Sequence, residues 1–162
     1  MRVLCKTIHT ADTALISGLE IVLHNSNNNN QGHIEDTPEN RLGVKTVVCT
    51  PLRILDFMRI QNMPNVKKFV YFFENPSYDS FSDIADLDTK NIRHLKIVDS
   101  TGNTLDNLIL HAIARHRNLK TIELVQCNAI ERDEVIEFIH QAHNLFPNFR
   151  YLMFNGEKFV YS

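Results

Sequence analysis

Histidines and cysteines are the side chains of this chain with the most obvious potential for chemistry. His111 and His116 lie five residues apart in one helical pattern, and His140 and His143 lie three apart in the next. The second pair could share one side of a helix, as metal ligands do. No cysteine or carboxylate completes a ligand set with either pair, however, and the HExxH spacing is absent. We therefore interpret the histidines as surface residues and expect no metal ion and no other cofactor.

Cys127 is the candidate nucleophile, because histidines follow it in the next helical pattern. No GxSxG elbow and no GxGxxG or GxxxxGK[ST] loop accompanies it, and the chain contains five glycines in all. Cys127 also falls in register with a structural repeat, which favours a buried thiol. We expect that the protein is not an enzyme, and a small hydrolase or transferase stays open as an alternative.

A basic residue recurs at one position of five strand-like segments. The position after the first apolar residue of each segment holds Lys45, Lys67, Arg93, Lys120 and Arg150. Stacked strands would arrange these side chains in a ladder with steps of about 5 Å. Such a ladder is either a solvated rim that keeps a sheet soluble or a surface that attracts an acidic partner.

The same five segments share a hydrophobic repeat. Those that start at Ile92, Leu119 and Phe149 read LxxLxL in hydrophobic classes, and the second continues as LxxLxLxxCxxI, close to the leucine-rich-repeat pattern. Weaker copies start at Val44 and Val66, so the starts are 22, 26, 27 and 30 residues apart. We expect five adjacent parallel strands in chain order, because each strand-helix unit has an apolar side that only a neighbouring unit can bury.

Core and turn positions follow from this register. Ser100 and Cys127 share the offset at which a leucine-rich unit places a small residue that bonds the turn, so Cys127 should be buried. The predicted core comprises Ile92, Leu95, Ile97, Leu119, Ile122, Leu124, Leu152 and Phe154. Three helices are predicted from residues that share one helix face. The first has Thr104 as its cap and the face Leu105, Leu108, Ile109, Ala112 and Ile113. The second has the face Val135, Phe138, Ile139 and Ala142 and is ended by Pro147, and a weaker third has the face Leu52, Leu55, Met58 and Arg59.

The fold class is therefore α/β. We predict a short leucine-rich-repeat-like (ribonuclease-inhibitor-like) solenoid, with a parallel sheet on one face and helices on the other. The competing fold is a doubly wound α/β domain. The 162 residues suit a single domain, divided into an N-terminal capping segment (1–24), a mobile Asn-rich loop (25–42) and strand-helix repeats (43–162).

Charge and cysteine content limit the cellular context. Seventeen Lys and Arg residues against nineteen Asp and Glu residues give a net charge of −2, which offers no electrostatic case for nucleic acid or an anionic membrane. Three cysteines without a CxxC pair, and no visible signal peptide or spanning apolar stretch, favour a reduced cytoplasmic or nuclear protein.

Three motifs carry a resemblance to a known family. Thr104–Leu108 (TLDNL) opens a helix, Asp133–Ile139 (DEVIEFI) follows an IEL strand, and Pro147–Leu152 (PNFRYL) leads into the last strand. Together, residues 90–155 resemble the C-terminal part of the nematode-type F-box-associated domain of type 2. In that family an F-box precedes the domain and docks the adaptor of a cullin-type ubiquitin ligase, and the associated domain is thought to hold the substrate. The Leu-Pro opening and apolar helices of an F-box are missing from residues 1–43.

The resemblance implies a protein–protein interaction module for substrate recognition, with a ligase adaptor as partner only if an F-box is supplied elsewhere. The alternative is a stand-alone scaffold or regulatory binder unrelated to ubiquitination. We expect a protein partner, and the basic ladder favours an acidic one. The candidate binding residues on the concave face of the solenoid are Lys67, Arg93, His94, Lys96, Lys120, Glu123, Arg150 and Tyr151.

Overall fold

The computed structural model describes residues 3–6, 19–24, 44–49, 64–73, 90–102 and 105–160. The predicted Asn-rich loop, the weak helix of residues 52–59 and the proposed cap Thr104 lie outside the described residues.

One sheet of eight strands organises the described chain, and its strands lie side by side in chain order. Six consecutive strands, β2 to β7, are parallel, whereas β1 and β8 pair antiparallel at the two ends. The elements are β1 (Val3–Lys6), β2 (Leu19–His24), β3 (Val44–Cys49), β4 (Lys68–Phe73), β5 (His94–Asp99), α1 (Leu108–Ile113), β6 (Thr121–Val125), α2 (Arg132–Leu145), β7 (Tyr151–Phe154) and β8 (Glu157–Phe159).

The five strands predicted from the hydrophobic repeat are β3 to β7, and their adjacency and parallel direction are confirmed. Sequence reasoning missed β1, β2 and β8. The last of these follows a recognisable signal, since Asn155 and Gly156 adopt φ angles of 46° and 89° between β7 and β8. Two residues with positive φ form the tight hairpin turn that Asn-Gly favours, and the pairing of Phe154 with Glu157 closes it.

Successive side chains along each parallel strand point to opposite faces of the sheet, and those on one face pack into the core. Phe69, Leu95, Ile122 and Leu152 stand in one register row across β4 to β7, and all four are buried. The helices add Ile109, Ile113, Val135, Phe138, Ile139 and Ala142 to the same cluster. Burial is confirmed for every residue of the predicted core: Ile92, Leu95, Ile97, Leu119, Ile122, Leu124, Leu152 and Phe154, together with Cys127.

The first helix differs from its prediction. It begins at Leu108, so Leu105 fills the core from the preceding loop, where it is fully buried. The buried face of α1 is rotated toward Leu110, and Leu108 is left 51% exposed. Because α1 ends at Ile113, His116 lies in the following loop and is buried, which contradicts its interpretation as a surface residue.

The second helix follows its prediction closely. Val135, Phe138, Ile139 and Ala142 form its buried side, and α2 ends two residues before Pro147. At its start the Glu131 N–H donates to Glu134 Oε2 at 2.9 Å, which satisfies one of the backbone donors that a helix N-terminus leaves unpaired. Within the described part of the chain, no helix is both long enough and apolar enough to cross a membrane.

Candidate functional site

The sheet presents two rows of mainly polar side chains on the side opposite the core, which we call the outer sheet face; the apolar members are Val70, which is buried, and Met153. These residues alternate with the core positions along β4 to β7, so the register places them beside one another. The first row holds Lys68, His94, Thr121 and Tyr151, and the second holds Val70, Lys96, Glu123 and Met153. All of them except Val70 line a shallow depression of about 290 Å³. Four predicted site residues, His94, Lys96, Glu123 and Tyr151, are therefore brought together here.

Cross-strand contacts order this face. Lys96 Nζ lies 2.7 Å from Glu123 Oε1, and His94 Nδ1 is hydrogen-bonded to Thr121 Oγ1 at 2.8 Å. Lys158, on β8, places its Nζ 4.6 Å from the centre of the Tyr151 ring, within the range of a cation–π contact. Side chains directly opposite each other on paired strands stabilise the pairing, so these contacts also hold the face in one arrangement.

The other four predicted site residues form an edge rather than part of the face. Lys67, Arg93, Lys120 and Arg150 each come one residue before a strand begins. Together with Lys45 they are joined by backbone hydrogen bonds: Lys67 N–H donates to Lys45 O, Arg93 N–H to Lys67 O, Lys120 N–H to Arg93 O and Arg150 N–H to Lys120 O, all at 2.7–2.8 Å. We call these five residues the basic rim. The ladder expected from the sequence exists, but it lies at the strand-entry edge of the sheet.

Side chains of the basic rim differ in their freedom. Lys45, Lys67 and Arg150 are exposed, whereas Arg93 and Lys120 are half-buried. Arg93 turns its guanidinium back toward the chain, where Nη1 donates to Lys90 O at 2.8 Å and to Ile92 O at 3.2 Å. Arg93 thus fixes the entry loop of β5 as well as contributing charge.

His94 lies where the basic rim meets the outer sheet face. Partial burial lowers the pKa of His94 below its usual 6.5, and the positive charges of Lys120, Lys68 and Arg150 lower it further. These three charge effects show that cations from three neighbouring strands act on one point of the face. Lys68 was missed by sequence reasoning, although it occupies the second polar position of the LxxLxL unit, the one that the register aligns with His94.

Charge is segregated between the two edges of the sheet. The strand-entry edge, formed by residue 45 near the start of β3 and by the described segments that lead into later strands (64–67, 90–93, 114–120 and 146–150), contains eight Lys and Arg residues and no Asp or Glu. The segments that leave strands (99–102, 105–107, 126–134 and 155–157) contain six Asp and Glu residues and one base, Arg132. Arg132 is itself paired with Glu157 at 2.6 Å. The near-neutral chain therefore has a strongly one-sided field over its described residues.

The opposite, strand-exit edge contains a buried carboxylate that sequence reasoning overlooked. Asp99 is fully buried and accepts hydrogen bonds from Thr101 N–H (3.0 Å), Thr101 Oγ1 (2.6 Å), Gly102 N–H (3.0 Å) and Leu105 N–H (2.9 Å). Ser100, predicted to bond this turn, is exposed instead. The prediction was displaced by one residue because the turn needs several acceptor positions, which a carboxylate offers and a hydroxyl does not.

Cys127 is a structural thiol. It has no exposed surface, and burial together with the nearby negative charge of Asp99 raises its pKa to about 12. A thiol with this pKa holds almost no thiolate at neutral pH, so it lacks the reactive form of a nucleophile. No group of three or more metal-ligating side chains occurs among the described residues.

Comparison with protein-family models, with curated proteins and with solved structures finds no match to this chain.

Proposed function

We propose that this protein is a protein–protein interaction module that binds a partner through its outer sheet face and basic rim. The carrying observation is the basic rim itself: five cations stacked strand by strand, next to a polar face that no helix of the described chain covers with its apolar side. Positive potential concentrated on one side of a near-neutral protein selects and steers an acidic partner more than it adds raw affinity.

The architecture supports a more specific form of this proposal. Parallel strands β2 to β7 follow one another without the order reversal of a doubly wound sheet, as a leucine-rich-repeat-like solenoid requires. In such a solenoid the outer sheet face would be concave and the helices would lie on the convex side. The sequence resemblance to F-box-associated domains of type 2 then suggests substrate recognition for a ubiquitin ligase. The alternative is a scaffold or regulatory binder with no link to ubiquitination.

Charge reversal at one residue of the outer sheet face, Lys96, and one residue of the basic rim, Lys120, tests the binding surface. A partner recovered by cross-linking from a cytoplasmic extract would be titrated with the wild type and with Lys96→Glu/Lys120→Glu. We expect the double variant to associate about 10-fold more slowly and to lose most of the salt dependence of the association rate, with the fold intact by circular dichroism. A double change on the helix layer, Glu137→Ala/Gln141→Ala, should leave association unchanged. Loss of binding in the helix variant alone would refute the proposal.

Copurification of the same complex with a cullin adaptor distinguishes the two forms of the proposal. An adaptor that copurifies in proportion to the partner supports substrate recognition. If the partner binds but no adaptor copurifies, even after an F-box protein is added to the assay, the result supports the scaffold instead.

A further inference from the structure

No acid of the described residues neutralises the cations of the basic rim. Among the described residues, Lys45, Lys67, Lys120 and Arg150 have no carboxylate within salt-bridge distance. The second row of the outer sheet face is different, since Lys96 is already paired with Glu123. An incoming anionic group would therefore gain more from the basic rim than from the middle of the sheet, where it would have to displace Glu123.

The spacing of the basic rim sets the shape of a suitable ligand. Neighbouring strands lie about 4.8 Å apart, so five cations on five consecutive strands extend over roughly 19 Å. An extended peptide advances about 3.3 Å per residue, so roughly six residues cover that distance. The line of charge runs across the strand ends, and a ligand that followed it would meet every entry loop from β3 to β7.

We infer that the basic rim is the docking site for an extended acidic segment, about six residues long, of a partner protein. The inference rests on the proposed function and specifies the chemistry of the partner. Because acids occupy the opposite edge of the sheet, the attraction for an anionic segment is confined to the strand-entry edge, along the basic rim. A nucleic-acid strand would also need aromatic platforms for its bases, and the Tyr151 ring already carries Lys158 over its face.

His94 provides an internal reporter of occupancy. Lys120, Lys68 and Arg150 act on its imidazole from three strands, Lys96 and Glu123 neutralise each other beside it, and Thr121 binds its Nδ1. An acidic segment along the basic rim would offset the three positive charges. His94 would then bind a proton more easily, and its pKa would rise toward 6.5 when the segment binds.

The first measurement uses the full chain and fluorescein-labelled hexaglutamate, with hexaglutamine as the uncharged probe, by fluorescence anisotropy at about 20 mM and 150 mM salt. We expect saturable binding of hexaglutamate that weakens with salt, and none of hexaglutamine. Lys67→Gln/Arg150→Gln should bind hexaglutamate about 2- to 25-fold more weakly, since each of the two exposed ion pairs is worth a factor of about 1.4 to 5. His111→Glu/Asn144→Glu lowers the net charge by the same two units on the helix layer and should bind as the wild type does.

The second measurement follows the His94 imidazole by nuclear magnetic resonance during a pH titration, with and without saturating hexaglutamate. A higher His94 pKa in the complex supports docking on the basic rim. An unchanged pKa, equal loss in the two double variants, or tighter binding of a six-nucleotide oligothymidylate than of hexaglutamate would each overturn the inference.

Binding of the native partner to two variants distinguishes a failure of this inference from a failure of the proposed function. If the native partner loses affinity for Tyr151→Ala but not for Lys67→Gln/Arg150→Gln, the outer sheet face is the binding surface and the basic rim is not its acidic dock. If neither variant affects the native partner, the proposed function fails as well.

Discussion

Asp99 should be the most sensitive polar position of the described chain. Its carboxylate is fully buried, and from described residues Oδ1 accepts three hydrogen bonds and Oδ2 accepts one, from Leu105 N–H. These contacts close the turn after β5 and position Leu105 in the core. Replacing Asp99 by Ala removes the acceptor of Leu105 N–H in the core and that of the part-buried donors of Thr101 and Gly102.

The magnitude follows from the hydrogen bonds. An unsatisfied buried donor costs about 1–3 kcal/mol, and effects within one network do not add fully. We therefore expect Asp99→Ala to lower the free energy of unfolding by about 3–5 kcal/mol, a large part of the roughly 5–15 kcal/mol of a typical domain. Asp99→Asn keeps one oxygen for the three donors on Oδ1 but turns an NH₂ group toward Leu105 N–H. Its cost should be smaller, about 1.5–3 kcal/mol.

Urea unfolding followed by circular dichroism measures these differences, with equal m values as the check that the folded and unfolded states are comparable. Asp106 is the matched control, because it also accepts a backbone hydrogen bond, from Leu108 N–H at 3.0 Å, but is exposed. Asp106→Ala should cost no more than about 1 kcal/mol. A cost of Asp99→Ala below about 1 kcal/mol, or no larger than that of Asp106→Ala, would refute the assignment of Asp99 as the anchor of the turn.

Three further predictions concern the core, the thiol and the site. Leu124→Ala should lower the free energy of unfolding by about 2–5 kcal/mol in the same urea assay, whereas Leu108→Ala should change it by no more than about 1 kcal/mol. The Cys127 thiol should react with a chromogenic disulfide only on unfolding. The thiol has a pKa of about 12 in the folded protein and 9.0 in the unfolded chain, so the free energy of unfolding should fall as pH rises from 9.0 to about 12, and less steeply in Cys127→Ala. His94 should titrate below 6.5 by nuclear magnetic resonance, and Lys120→Gln should raise its pKa.

The parallel sheet was predictable because its signal recurs. Each LxxLxL unit places apolar side chains at alternate positions, and five units at similar spacing allow the same register to be read repeatedly. Leu95, Ile122 and Leu152 could therefore be assigned to one core row before any geometry was known, and the structure pairs them in that row. Local pattern and long-range pairing agree here, which is the condition under which sequence reasoning succeeds.

The failures have local causes. Leu108 fits a helical period drawn through Leu105, but the helix starts later than that period assumes, so the exposed side changes. Asp99 was passed over because a carboxylate at the end of an apolar strand has the signature of a solvent-facing residue. Its burial goes with hydrogen bonds from Thr101, Gly102 and Leu105, which no hydrophobic pattern encodes.

The site shows a further limit of reasoning from composition. A net charge of −2 argues against an electrostatic partner surface only if charges are spread evenly. Parallel strands prevent that, because every segment that enters a strand reaches the same edge and every segment that leaves one reaches the other. In an antiparallel sheet a basic residue before each strand would alternate between edges and its field would largely cancel. The same five positions, Lys45 to Arg150, become a continuous basic rim here because β3 to β7 share one direction. The direction of the strands, rather than the number of charges, therefore gives this chain a surface that an acidic segment can recognise.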